Sequence, residues 1–271
     1  MLPNDAFLRR LPESFNGAQA IQLEALLFSA DSAEFSYDEI KSVTLEHREK
    51  ILVAPPTVRT RMFIHAWNIV DSLHVIRQVI HAMNMVTSAG SENFRDKYEV
   101  ATKMRNKMDH LSQNATNISR SSTQAPIYGS IGYVCIQDHD IEEVDGEVAL
   151  KSLGVVSMSS GRLVGQSRIS AINPLGRTIT DRTSLFQLEA FGEVLLIEDA
   201  IADLRKMIFR VNNSVEKEFR NAAQEFSAKQ GLSIEQLSAN PVVNLTMYIT
   251  MKLEDDIVGE VSSSVGGDTP R

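Results

Sequence analysis

Six consecutive residues, Arg105-Asn106-Lys107-Met108-Asp109-His110, bring together side chains with complementary chemistry. A guanidinium can clamp a phosphate through two parallel N–H donors, an imidazole exchanges protons near neutral pH, and a carboxamide can hold that imidazole in orientation. These are the parts needed to cleave RNA without a metal. A base takes the proton of the 2′-hydroxyl, an acid protonates the departing 5′-oxygen, and positive charge steadies the phosphate as it becomes five-coordinate. At about 100° per residue, Arg105 and His110 stand roughly 140° apart on an ideal helix, whereas Asn106 and His110 share a face. One helix therefore cannot readily aim Arg105 and His110 at a single phosphate. Two copies meeting across a two-fold axis, or a loosened last turn, would bring them together, so this chemistry favours a homodimer. The ordinary alternative is an i,i+4 ion pair between Arg105 and Asp109, with His110 favoured at the helix C-terminus by the macrodipole.

Other candidate residues surround this run. Asp71, His74 and His81 fall close to one face of the preceding helix, at steps of three and seven, where they can support the Arg105 site or take an adenine or a phosphate. The plainer reading makes them polar bridges inside a bundle. Two histidines seven apart with no third ligand make a poor zinc site, and no metal or cofactor is expected. A second run, Arg59 to His65, has similar spacing but opens a helix and carries Thr60 after the arginine. The acidic stretch Asp138, Asp140, Glu142, Glu143, Asp145, Glu147 lacks the glycine and the final carboxylate of a calcium loop and reads as a solvated hairpin tip. The usual markers of nucleotide hydrolysis, dinucleotide binding, zinc proteolysis and serine hydrolysis are missing from the sequence.

The elements that must position these residues fall into two kinds. Residues 18–30 have helical apolar spacing, and a weaker helix is expected over 36–52, stopping before Pro55-Pro56. From Thr57 to about Val86 no glycine or proline interrupts Met62, Ala66, Ile69, Leu73, Ile76 and Ile80, which follow a helical period. Ser91 reads as the N-cap of a fourth helix with Phe94, Tyr98, Ala101, Met104, Met108 and Leu111 as its stripe. Four helices with short links imply a bundle. A polar stretch after Leu111 is the linker candidate, and strand-like segments follow at 126–137, 147–159, 162–172, 184–197 and 242–253, which predict a five-strand, antiparallel sheet. An amphipathic helix spans about 199–229, long enough to return to the bundle or to pair with a second copy, and the last residues read as a frayed tail. The expected fold class is α+β: a helical bundle over 1–122, then an acidic region over 123–271 with a small antiparallel sheet and one long helix.

Composition agrees with a folded, non-fibrous chain: 271 residues, 43% hydrophobic and 23% charged, which excludes collagen, rod and disordered tail as descriptions of the whole. The net charge of −8 argues against a general nucleic-acid coat protein. The excess acid lies wholly in the second part, since residues 1–122 hold 14 Lys/Arg and 14 Asp/Glu against 13 and 21 in 123–271. From Arg95 to Arg120 the balance reverses locally to +3, six basic residues against three acidic, which could form a small phosphate-friendly spot. A single cysteine, Cys135, cannot form an intrachain disulfide, and no stretch has the length of a signal peptide core or a membrane span. A soluble cytoplasmic protein with no membrane partner is the expectation.

The run Arg105-Asn106-Lys107-Met108-Asp109-His110 resembles the R-x4-6-H motif of the HEPN superfamily, with a polar residue directly after the arginine and a long amphipathic helix before it. The preceding helix, FIHAWNIVDSLHVIRQVI over 63–80, shares the W-x3-D-x2-H look of HEPN-like bacterial proteins, and the resemblance spans about residues 20–115. It implies a metal-independent endoribonuclease acting as a homodimer on RNA, often within toxin-antitoxin or phage-defence systems, with an antitoxin or regulatory protein as partner. Arg105 and His110 would be the matching catalytic positions and Asn106 the intervening polar residue. HEPN-like folds also serve as non-catalytic dimeric interaction or ligand-sensing modules, which is the second expectation.

Overall fold

The computed structural model describes residues 2–12, 15, 17–48, 55–83, 89–113, 128–144, 147–150, 152–161, 171–179 and 181–230. The chain is α+β: an N-terminal helical region, a small four-strand antiparallel sheet and a long C-terminal helix. Helix α1 runs unbroken over Gly17–Glu46. The expected division into two helices, at 18–30 and 36–52, is therefore corrected. No proline or glycine separates Ala30 from Ser36, and Ala33, Ser36, Tyr37, Ile40 and Val43 carry the buried stripe straight through.

Helix α2, Pro56–Ala82, starts with a proline in its first turn, where the missing N–H costs nothing. It lies antiparallel to α1. Arg61 pairs with Glu39, the His65 ring meets Phe35, and the Asn68 amide donates to Ser32 and Ser36. The fourth expected helix is two, α3 at Ala89–Lys97 and α4 at Glu99–Asp109, broken at Tyr98, whose φ and ψ are −102° and 22°. Tyr98 stacks obliquely on Phe94 and donates its hydroxyl to Asp203 at 2.7 Å.

Among the described residues six strands follow: β1 Ser130–Cys135, β2 Ile141–Val144, β3 Glu147–Leu150, β4 Gly154–Ser159, β5 Thr183–Ala190 and β6 Glu193–Leu196. The sheet order is β4-β1-β5-β6, all neighbours antiparallel, and β2–β3 form a separate hairpin. Among the described residues the sheet has four strands, drawn from three of the five expected segments. The segment 147–159 divides into β3 and β4, which lie in different sheets, and 184–197 folds back on itself as β5 and β6 through Phe191 and Gly192. Both turn residues have positive φ, 56° and 78°, as tight hairpin turns require. Most of 162–172, and all of 242–253, the linker candidate from 114 onward and the tail lie outside the described residues.

Helix α5, Ile197–Gln230, leaves the end of β6 directly. Its stripe Ile201, Leu204, Ile208, Val211 and Val215 joins α1, α2 and the inner sheet face, Ile131, Tyr133, Phe186 and Leu188, in one buried cluster. Three polar ties fix this packing. Arg205 pairs with Glu34, Asn212 accepts from the Leu8 amide at 3.0 Å, and Glu198 receives both the Tyr37 hydroxyl at 2.9 Å and the Leu185 N–H at 2.6 Å. Leu185 sits at the register shift between β1 and β5 with φ of 57°, and the Glu198 carboxylate holds its amide there. No helix among the described residues is long and apolar enough to cross a membrane.

Candidate functional site

The motif helix α4 is positioned from three sides. Ala101 and Met104 bury its inner face, Tyr98 and Lys97 tie its start to Asp203 on α5, and Lys107 anchors its end to the β5–β6 turn. Lys107 Nζ donates to the Phe191 carbonyl at 2.9 Å and to Glu193 at 3.0 Å. Phe191 in turn packs edge-on against Trp67 of α2, whose indole N–H donates to the Tyr128 carbonyl at 3.0 Å. The sheet is thus the clamp that holds the motif against α2.

Within that frame the candidate residues separate. Arg105 turns toward α2, where its Nε lies 2.7 Å from Asp71 Oδ1, and its Nη1 donates to Asp109 on its own helix. The i,i+4 pair expected as the ordinary alternative is therefore present, and Asp71 adds a second carboxylate from 34 positions away in sequence. Asn106 and His110 lie on the solvent side, both exposed. His110 is the C-cap of α4, its backbone N–H donating to the Asn106 carbonyl at 3.3 Å. Among the described residues its imidazole has no hydrogen bond or ion pair. One chain thus brings Arg105 to Asp71 but not to His110, as the 140° separation on a helix requires.

His74 stands one turn along α2 from Asp71, with Nδ1 3.1 Å from Thr102 Oγ1 and Nε2 3.0 Å from the Gln78 amide nitrogen. With Gln78 donating to Nε2, the consistent state is a neutral imidazole that carries its proton on Nδ1. Burial lowers the His74 pKa, and the nearby Arg105 and Arg77 lower it further. For Asp71 burial pushes the pKa up. The Arg105 charge pulls it back, but Asp109 opposes that pull, and the net direction is upward. The seam between α2 and α4 is consequently a half-exposed patch where one guanidinium faces two carboxylates beside an uncharged imidazole.

Arg77 is the residue that sequence reasoning missed. Its Nε donates to the Arg95 carbonyl at 2.6 Å and its Nη1 to Thr102 Oγ1. The signal was present, since Arg77 falls three residues after His74 and four before His81 on the same helix face. The earlier run is placed differently: Arg59 is exposed at the start of α2, and His65 packs on Phe35 with its pKa lowered by burial. Among the described residues no three His, Cys, Asp or Glu side chains gather where they could hold a metal ion. No family model, curated protein or solved structure matches the chain.

Proposed function

We propose that the protein is a metal-independent endoribonuclease of HEPN type, acting as a homodimer whose cleft takes Arg105 from one copy and His110 from the other. The observation that carries this reading is the disposition of α4. Its His110 imidazole is exposed at the helix end and, among the described residues, unengaged, while Arg105, on a different face, keeps about a third of its side chain open to solvent. His110 exchanges the proton of the attacking 2′-hydroxyl or of the departing 5′-oxygen, Arg105 steadies the phosphate, and Asn106 orients the imidazole. Cleavage forms a bond from the 2′-oxygen to phosphorus and breaks the bond to the 5′-oxygen, leaving a cyclic phosphate and a free hydroxyl. A single, buried cysteine, Cys135, suits a reducing, cytoplasmic setting, and an antitoxin or other regulatory protein would then hold the activity in check.

A second copy has a surface to meet. Ile21, Phe28 and Phe35 recur every seven residues on the outer side of α1 and are 68%, 75% and 60% exposed. The antiparallel pairing of Asn68 with Ser32 sets Asp71, one turn further on, about level with Ser29, the residue after Phe28. Those three side chains expose several hundred Å² of apolar surface, on the order of half of what each partner buries in a standard interface. Replacing Phe28 and Phe35 by Asp is expected to leave a folded monomer by light scattering and to abolish cleavage; an unchanged dimer would refute the seam.

The test of the reaction is cleavage of RNA in EDTA by the full chain, by Arg105→Ala and by His110→Ala. Each substitution is expected to cost at least about 100-fold. Mixing the two inactive variants should restore roughly a quarter of the activity, because half of the dimers are mixed and each of those keeps one intact site of two. Equal cleavage by all three proteins, or none by any, removes the enzyme. A second reading, a non-catalytic dimeric interaction or ligand-sensing module, is favoured by one observation: Arg105 already has two carboxylate partners, Asp71 and Asp109. Under it the wild type is inert toward RNA while the Phe28 and Phe35 substitutions still disrupt the dimer.

A further inference from the structure

We propose that Arg77 and Arg95, with His81 beside them, form a binding site for a phosphoryl group on the α2–α3 flank of the motif helix. The site stands apart from Arg105 and His110 and does not depend on the nuclease reading.

Four cations on α3 and α4 each reach a carboxylate: Lys97 meets Asp203, Lys103 meets Glu99, Arg105 meets Asp71 and Asp109, and Lys107 meets Glu193. Arg77 does not. It is half-buried, and its hydrogen bonds go to two neutral acceptors, the Arg95 carbonyl and the Thr102 hydroxyl. Among the described residues no carboxylate lies within ion-pair distance of it.

The bond to the Arg95 carbonyl brings a second guanidinium alongside. Arg95 Nη1 lies 3.4 Å from His81 Nδ1, and its Nε is 3.7 Å from Asp96, a neighbour in sequence whose side chain is 76% exposed. Burial depresses the Arg77 pKa, and the charge of Arg95 adds to that, with Glu99 and Asp96 opposing. Two like charges are therefore held near each other, and although Glu99 acts on Arg77 more strongly than Arg95 does, no carboxylate among the described residues reaches the Arg77 guanidinium. An arginine carries five N–H donors, and Arg77 spends two. Arg77 and His81, one turn apart on α2, both meet Arg95 of α3, the first through its carbonyl and the second through its guanidinium, which groups the remaining donors along the α2–α3 edge. A tetrahedral oxyanion supplies acceptors for these donors and a charge opposite to that of the two guanidiniums. A carboxylate would match one fork, whereas a phosphoryl group has enough oxygens for both.

That group can come from a nucleic-acid backbone or from a small phosphomonoester, and one experiment separates these sources. The full chain is titrated with inorganic phosphate by calorimetry and with a single-stranded oligoribonucleotide by fluorescence anisotropy, at constant ionic strength set with chloride. Arg77→Gln, Arg95→Gln and the charge-matched control Lys229→Gln are compared. Phosphate affinity should fall at least about fivefold in both arginine variants and stay unchanged in the control. Parallel loss of oligonucleotide binding identifies the backbone as the source, and loss of phosphate binding alone identifies a small phosphomonoester. If Arg77→Gln fails to fold for want of the Thr102 tie, Arg95→Gln carries the test, because among the described residues the side chain of Arg95 reaches only His81 and Asp96. No phosphate binding, or equal weakening by all three substitutions, overturns the site. Arg105→Ala and His110→Ala should retain phosphate binding, so failure of the cleavage assay leaves this proposal standing and its own failure leaves the cleavage assay untouched.

Discussion

Asp71 and Asp203 are both partly exposed aspartates that each face a cation across a helix seam, yet their acidities move in opposite directions. Asp203 accepts the Tyr98 hydroxyl at 2.7 Å and the Lys97 ammonium at 2.6 Å. Burial raises its pKa, but those two hydrogen bonds and the charges of Lys97 and Lys206 outweigh burial, and the net direction is down. Asp71 has Arg105 at 2.7 Å, but it shares that guanidinium with Asp109, and burial wins. The lesson concerns how each seam is built. At the α5 seam two cations and a phenol serve one carboxylate, as in a joint; at the α2–α4 seam two carboxylates compete for one cation, which leaves an excess of negative charge there.

The largest effects should separate the seams by what is lost. Arg105→Ala is expected to abolish cleavage with little change in melting temperature, because a half-exposed ion pair contributes about 1 kcal/mol or less. Asp203→Ala should do the reverse, destabilising the fold by about 1–3 kcal/mol through loss of hydrogen bonds to a charged group, while leaving the chemistry per folded molecule intact. Denaturant melts and cleavage rates on the same two proteins decide it. A large stability loss in Arg105→Ala with activity retained would make both seams structural.

The pH dependence sharpens the contrast at smaller amplitude. A carboxylate whose folded pKa is lowered adds stability above its unfolded value and loses it as pH falls through the folded one, so the cost of Asp203→Asn should shrink in acid. Asp71 has the opposite sign. With its folded pKa raised, the ionised form is penalised as pH rises through that value, so Asp71→Asn should be neutral near pH 3 and gain stability toward pH 7. Solvent screening holds that gain to about 0.5 kcal/mol. Stability curves of the two variants relative to wild type, measured from pH 3 to 7, should diverge in opposite senses; parallel curves would erase the distinction.

What the sequence made legible follows from what is local. The stripes of α2 and α5 repeat over many turns, so periodicity located both within a few residues, and the 140° rule separated Arg105 from His110 before any coordinates. The unbroken α1 was missed because the stretch from 30 to 36 is rich in small and polar residues, whose helicity comes from packing against α2 through Ser32, Ser36 and Asn68. The break at Tyr98 has no glycine or proline to announce it; a hydroxyl drawn to Asp203, 105 positions away, accompanies it. Pairings such as Asp71 with Arg105 and Arg77 with the Arg95 carbonyl are tertiary facts, and a helix period says only which faces are available for them.

The most local expected effect tests whether the sheet serves the motif. Phe191 holds a positive φ of 56° in the β5–β6 turn, a conformation that costs a bulky residue roughly 1 kcal/mol and that asparagine adopts readily. Its ring also packs on Trp67 with centroids 6.2 Å apart, a contact worth about 1 kcal/mol. In Phe191→Asn the relief offsets the lost aromatic contact but not the lost burial of the ring against the core, so a net loss of up to about 1 kcal/mol is expected. The Lys107 anchor uses the backbone carbonyl of Phe191, which survives the change, so cleavage should survive too. Lys107→Ala removes the anchor itself and frees the end of α4 where His110 caps the helix. If the sheet positions the motif, hydrogen exchange at Met108 to His110 should quicken in Lys107→Ala and not in Phe191→Asn; equal protection in both would mean that α4 holds His110 unaided.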